Sequence, residues 1–153
     1  LDQLLALSNK LQKDDVIVAI GIAPDQQNIL PENVIGIPVI KNQNLLIQWY
    51  SAADVYINFS IEETFGLVVA EAMACGTPAI VMNSTACPEV VDNDTGFVVD
   101  PFDFEAVKDA IEKIKTKGKK AYSLKCKERI HSLFDVKRMQ KEYLELYREL
   151  RRL

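Results

Sequence analysis

Five short runs rich in β-branched residues set the frame of this chain: VIVAIG (16–21), NVIGIPVI (33–40), DVYINFS (54–60), PAIVMN (78–83) and TGFVVD (95–100). VIVAIG is apolar throughout and closes on glycine, as a strand buried on both faces of a sheet reads. The stretches between the runs carry helical spacing. Leu1, Leu4, Leu5, Leu7 and Leu11 recur at three- and four-residue intervals. NLLIQWYSAA (44–53) and the segment 66–75 read as helices, and PEVVD (88–92) as a short helix with proline in its first turn. IAPDQQNILPE (22–32) reads as loop, and Pro38 breaks the second run. After Asp103 the pattern stays helical: DFEAVKDAIEKIK, KGKKAYSLKCKERIHS and FDVKRMQKEYLELYRELRRL. Strand and helix in alternation predict parallel βαβ units with right-handed crossovers. The fold expected is α/β, one Rossmann-like parallel sheet flanked by helices. At 153 residues it forms a single domain over 1–153.

Composition narrows the function classes. With 48% hydrophobic and 26% charged residues the chain is an ordinary globular sequence. Its formal charge of −4 gives no pull toward nucleic acid, so any anion must be held by local geometry. No stretch approaches the ~18–20 apolar residues of a membrane span. Three cysteines (Cys75, Cys87, Cys126) without a CxxC pair read as reduced thiols of a cytoplasmic protein. With His131 the sole histidine, no metal site is expected.

The segment EETFGLVVAEAMACGTP (62–78) carries the most chemistry. It follows a strand and precedes a helix, where open α/β sheets bind ligands. Two readings are open. In the first, Ser60 and Glu63 form a capping box, Glu71 is a solvated helix residue, and Gly76 with Pro78 is a routine helix stop. That helix would hold Gly66 in its interior, at a cost of ~1 kcal/mol. In the second, the helix starts at about Gly66. The backbone N–H groups of Gly66, Leu67 and Val68 then point outward with the positive end of the helix dipole, a seat for a phosphate or diphosphate. Glu63 and Glu71 flank that seat, at most ~12 Å apart along a helical path. A carboxylate accepts from vicinal hydroxyls, so each acid could hold one sugar of a nucleotide diphosphate sugar.

This stretch resembles the E-x7-E signature of retaining glycosyltransferases of the GT-B fold, glycosyltransferase family 4 (group 1). SAADVYINFS, EETFGLVVAEAMACGTPAI, PEVV, TGFVVDP and FD follow in the family's order and spacing. The resemblance covers essentially all of 1–153 and is to the carboxyl-terminal, donor-binding half. It implies a hexosyltransferase taking a UDP- or GDP-sugar, in polysaccharide biosynthesis or a related pathway. By the same resemblance Glu63 is the catalytic-site glutamate that contacts the donor sugar, and Glu71 holds the ribose. Thr64, Phe65, Gly66, Leu67 and Val68 form the turn that meets sugar and diphosphate. Val39, Ile40 and Lys41 lie where the family's backbone meets the nucleobase. No cofactor is implied, because helix dipole and cations take the place of a metal.

The chain departs from the family in two loops. Phe59-Ser60 stand where Pro-Ser is usual, and Ala86-Cys87 where a Gly-Gly pair commonly precedes Pro-Glu. In the family, an arginine and a lysine that neutralise the diphosphate follow the domain's first strand. This chain opens on Leu1 in the helix after that strand, which reads as truncation at the amino terminus. The half that binds a glycan or lipid-linked acceptor is then absent, and these residues alone are expected to be inactive. The alternatives are a sugar-nucleotide epimerase or hydrolase on the same plan, and a noncatalytic α/β module resembling a receiver domain. Asp14-Asp15 precede the first run, but no phosphoacceptor aspartate ends it.

Elsewhere, Trp49 and Tyr50 read as core, with a base-stacking platform as the second reading, and His131 as surface. Lysines 113, 115, 117, 119 and 120 read as a solvated face, with weak attraction to anionic lipid as the second reading. The expected location is cytoplasmic, with peripheral association at the cytoplasmic membrane face as the variant. The last helix (136–153) carries Met139, Tyr143, Leu146, Tyr147 and Leu150 on one stripe. In the family this helix reaches back to the other domain, so part of the stripe is expected to be exposed.

Overall fold

The structure, a computed structural model, describes residues 1–152. In chain order the elements are α1 (Asp2–Ser8), β1 (Ile17–Ile20), a 3₁₀ helix (Pro24–Ile29), β2 (Val34–Ile37), α2 (Gln43–Ala52), β3 (Tyr56–Asn58), α3 (Leu67–Ala74), β4 (Ala79–Met82), α4 (Cys87–Val90), β5 (Gly96–Val99), α5 (Phe104–Lys117), α6 (Lys120–Phe134) and α7 (Val136–Leu150). Every pairing is parallel. The α/β, Rossmann-like class read from the sequence is the class observed. Pro24 at its first turn and Gln26 folding back on Ala23 N–H, 3.1 Å away, make the segment expected as loop one helical stretch.

Helix boundaries follow from local chemistry. Asn42 accepts from Leu45 N–H at 3.2 Å to start α2, Asp103 from Ala106 N–H at 2.9 Å to start α5, and Asp135 from Lys137 N–H at 2.7 Å to start α7. In α5 the buried side chains are Val107, Ala110, Ile111 and Ile114, one helical stripe, each contributing up to about 1.5–3 kcal/mol by burial if large. In α7 the stripe from Met139 to Leu150 is exposed. Leu153, the last residue of the expected helix, lies outside the described residues.

The core gathers around β4. Ala79, Ile80, Val81 and Met82 are all buried, with Met73 of α3, Ile114 of α5 and Cys126 of α6 packed about them. Here β5 comes very close. A Cβ on Gly96 would lie 1.9 Å from the carbonyl oxygen of Ala79, so only glycine fits that register.

Within this parallel arrangement the strands divide into β1–β2 and β3–β4–β5. From the junction the chain runs outward in both directions, β1 to β2 on one side and β3 to β5 on the other, as at a topological switch point. Neither the outer edge of β1 nor that of β3 is paired among the described residues. Between them lies a cleft of about 1260 Å³, lined by Val18 and Ile20 of β1, Ile57 of β3, Leu7 of α1 and Trp49 and Tyr50 of α2. No helix among the described residues is long and apolar enough to cross a membrane.

Two outcomes follow from this packing. Gly96→Ala should cost about 1–3 kcal/mol, read as a lower urea midpoint; an unchanged midpoint would show that β5 does not approach β4 as described. The second concerns the three free thiols. Burial pushes the Cys126 thiol up to about 11 and raises that of Cys87, so little thiolate forms at pH 8. Iodoacetamide at pH 8 should label the half-buried Cys75 first and the other two only on unfolding. Peptide mass mapping that finds Cys126 modified as fast as Cys75 would contradict the burial.

Candidate functional site

The chain leaves β3 through Asn58, whose buried side chain accepts from Ser60 N–H at 2.9 Å and points its amide at Cys87 Sγ, 3.7 Å away. This turns residues 60–65 off the sheet toward the loop that follows β4. That second loop pins the first. Ser84 Oγ donates to Ile61 O at 2.6 Å, and Thr85 Oγ1 accepts from Glu63 N–H at 3.0 Å. Thr85 adopts φ 47°, a left-handed conformation costing roughly 1–2 kcal/mol for a residue with a Cβ. Arg129 braces the helix that follows, donating to Val90 O, Glu89 O and Asp92 Oδ2 at 2.6–2.8 Å. The backbone of Glu63 is thereby fixed, while its carboxylate has no hydrogen-bond partner among the described residues.

Helix α3 starts on Gly66, at φ 85° and ψ 48°. Its carbonyl accepts from Val69 N–H at 2.9 Å and Ala70 N–H at 3.2 Å. The N–H groups of Gly66, Leu67 and Val68 have no partner among the described residues, and no side chain caps them. The capping box between Ser60 and Glu63 is not formed. Ser60 Oγ donates instead to Glu62 O at 3.1 Å, because Gly66 takes the left-handed conformation and the helix begins beyond it. A Cβ at Gly66 would lie 3.4 Å from Cys87 Sγ. The dipole of α3 therefore opens on three unsatisfied donors.

Glu71 lies on α3, one turn beyond those donors and exposed to solvent. Its Oε2 accepts from the hydroxyl of Tyr50 at 3.2 Å. Burial pushes the Tyr56 hydroxyl up to about 12, with further contributions from Glu63, Glu71 and Cys87. Both carboxylates thus add to the shift of one phenol, that of the first residue of β3.

The structure distributes the expected site residues over two neighbouring features. Glu63, Gly66, Leu67, Val68 and Glu71 surround the start of α3. Thr64 is exposed, and Leu67 is 68% exposed. Phe65, half-buried, packs its ring against Phe134, 5.1 Å between centroids. Val39 and Ile40 follow β2 and line the cleft together with Val68, whereas exposed Lys41 does not reach it. Three residues near the site escaped the sequence reading. Tyr50 is indistinguishable from a core aromatic until its hydroxyl is placed. Ser84 and Thr85 carry no signal beyond lying between a strand and a helix.

One surface expectation changes and another holds. Lys119, expected on a solvated face, is half-buried and donates to Ser51 O and Ala53 O at 2.6 Å, closing the last turn of α2; burial lowers its pKa. His131 lies on the surface as expected, its side chain 84% exposed, with Asp135 3.4 Å away just past the end of α6. The sequence also contains Asp92-Asn93-Asp94, an Asp-x-Asp triplet. Asp92 is paired with Arg129 at 2.6 Å and Asp94 with Lys125 at 2.6 Å, and no metal-competent cluster occurs among the described residues.

Comparison with known proteins gives the family. The family model "Glycosyl transferases group 1" matches residues 6–130. The O-antigen chain mannosyltransferase B of Escherichia coli is 47% identical over 58 residues, 38% of this chain and 15% of that protein. Sucrose-phosphate synthase of Thermosynechococcus elongatus superposes with a TM-score of 0.80 at 27% identity, over 97% of this chain and 41% of that one. Anabaena HepE, in complex with UDP-glucose, gives a TM-score of 0.80 at 20% identity over 97% of this chain and 44% of its own, a likeness of fold. The chain spans 15 to 25% of the length of the curated relatives it matches. A strand-to-helix turn of this build, within a match over most of the chain, places the protein among the group 1 glycosyltransferases, and it belongs to that family.

Proposed function

We propose that this chain forms the donor-binding part of a retaining glycosyltransferase that moves a hexose from a UDP- or GDP-sugar to a glycan or lipid-linked acceptor. The observation that carries the reading is the start of α3: three unpartnered N–H groups behind a left-handed glycine, flanked by two carboxylates with unused lone pairs. A diphosphate seated there meets donors and the positive end of a dipole rather than lysines. Glu63 then accepts from hydroxyls of the donor hexose near the reacting carbon, and Glu71 from the ribose. Val39 and Ile40, which line the cleft, take the nucleobase along their backbone. The amides of Phe65, Gly66, Leu67 and Val68 stabilise the charge that develops on the departing diphosphate, in the manner of an oxyanion hole. Thr64 borders the hexose.

This reading calls for no metal cofactor. The further cations and the acceptor surface belong to another part of a longer chain, acting at the cytoplasmic side of a membrane when the acceptor is lipid-linked. The name of the E. coli relative supports transfer of a hexose, and the UDP-glucose bound to HepE supports a nucleotide-sugar donor.

Calorimetric titration of UDP and GDP should show weak binding of one of them by this chain. Glu71→Ala should reduce that affinity about tenfold, the value of a charged hydrogen-bond pair. Gly66→Ala should weaken binding too and cost roughly 1–2 kcal/mol of stability, because alanine resists positive φ. Binding of neither nucleotide, or an unchanged affinity in Glu71→Ala, would refute the site. In a longer chain that turns over donor, anomeric analysis of the product tests retention: an inverted product would refute it.

A further inference from the structure

Tyr50 is the buried polar side chain that the reading above leaves without a task. It is 8% exposed and lies in the last turn of α2, yet its hydroxyl reaches out to an exposed carboxylate, Glu71 Oε2, at 3.2 Å. The ring is held from several sides. Tyr56 packs against it edge to face, with centroids 5.7 Å apart and planes at 82°. Its carbonyl accepts from Thr77 Oγ1 at 2.5 Å, in the turn that joins α3 to β4. Lys119 fixes the next carbonyls, Ser51 O and Ala53 O. The Glu71 carboxylate has no other hydrogen-bond or ion-pair partner among the described residues.

We propose that Tyr50 is a positioning residue for Glu71. An exposed glutamate samples many rotamers, and ordering it on a ligand costs side-chain entropy. A rigid phenol that already holds Oε2 removes part of that cost before the ligand arrives. It leaves Oε1, and a second lone pair on Oε2, to accept from two vicinal hydroxyls. Burial raises the Tyr50 pKa further above the ordinary phenol range, so the hydroxyl remains a donor at every physiological pH. The inference rests on the reading of Glu71 as the ribose-binding acid and adds the residue that sets its geometry.

Tyr50→Phe removes the hydroxyl and keeps the ring contacts with Tyr56. The test compares wild type, Tyr50→Phe, Glu71→Ala and the double variant, titrated with UDP, with 2′,3′-dideoxyuridine diphosphate and with inorganic pyrophosphate. Where GDP is the better ligand, the guanosine pair replaces the uridine pair. Tyr50→Phe should weaken the nucleoside diphosphate about three- to tenfold, one neutral-to-charged hydrogen bond, and leave the dideoxy compound and pyrophosphate unchanged. In the Glu71→Ala background it should add nothing, because the two residues act as one unit. A loss in Tyr50→Phe that is equal for all three ligands, or additive in the double variant, would show a merely structural tyrosine and overturn the proposal. So would an unchanged Tyr50→Phe beside a weakened Glu71→Ala. Should Glu71→Ala itself bind like wild type, the ribose assignment fails, and the positioning role falls with it by a distinct signature.

Discussion

The turn from α3 into β4 is the joint on which the rest of the molecule depends. Gly76 closes the helix at φ 83°, and Thr77 N–H bonds back to Ala72 O at 3.1 Å. Thr77 Oγ1 meanwhile holds the end of α2 through Tyr50 O. On the far side Ser123 Oγ of α6 donates to Gly76 O at 2.7 Å, and a Cβ on Gly76 would lie 2.9 Å from Lys127 Cε. Three helices and the central strand thus meet at one turn where only glycine allows the approach. Because α3 is a stiff rod of eight residues, about 12 Å, fixing this end fixes the other. The donors at Gly66, Leu67 and Val68 are aimed by packing that lies a full helix length away.

Electrostatics reinforce that division between scaffold and site. Most of the well-placed cations are committed to structure: Lys10 to Glu105, Lys115 to Asp15 and Glu112, Lys125 to Asp94, Arg129 to Asp92. Exposed pairs of this kind contribute little to stability, about 0–1 kcal/mol each. They do remove lysine and arginine from competition for a ligand. Around α3 the positive potential comes from amides instead, and it is directional and cannot be titrated away. In the proposed role the carboxylates beside it would give selectivity, accepting from hydroxyls and repelling a misplaced phosphate.

Two surfaces are less satisfied than the core. The edges of β1 and β3 face each other across the cleft without strand partners, and the apolar stripe of α7 is uncovered. Both are regular in structure, so the chain holds their geometry without a covering element. Unpaired apolar edges are also where such a chain would self-associate.

Much of the fold was readable in the residues. Continuous β-branched runs bounded by helical periodicity allow few arrangements other than parallel βαβ units, and Gly76 and Pro78 mark the end of α3 by their backbone limits alone. Even the start of α3 could be narrowed to two readings, since a glycine costs too much inside a helix to be ignored there. Choosing between them took the tertiary structure. Ser60 can cap a helix or serve a turn with equal local chemistry, and it was the contacts from Ser84 and Thr85, over twenty residues away, that drew the loop off the helix axis. The split of the sheet, the burial of Lys119 and the reach of Tyr50 to Glu71 were decided in the same way. Local propensity acts over a turn or two of chain, whereas strand neighbours, helix caps from distant lysines and the direction of a phenol are set only when separate elements pack.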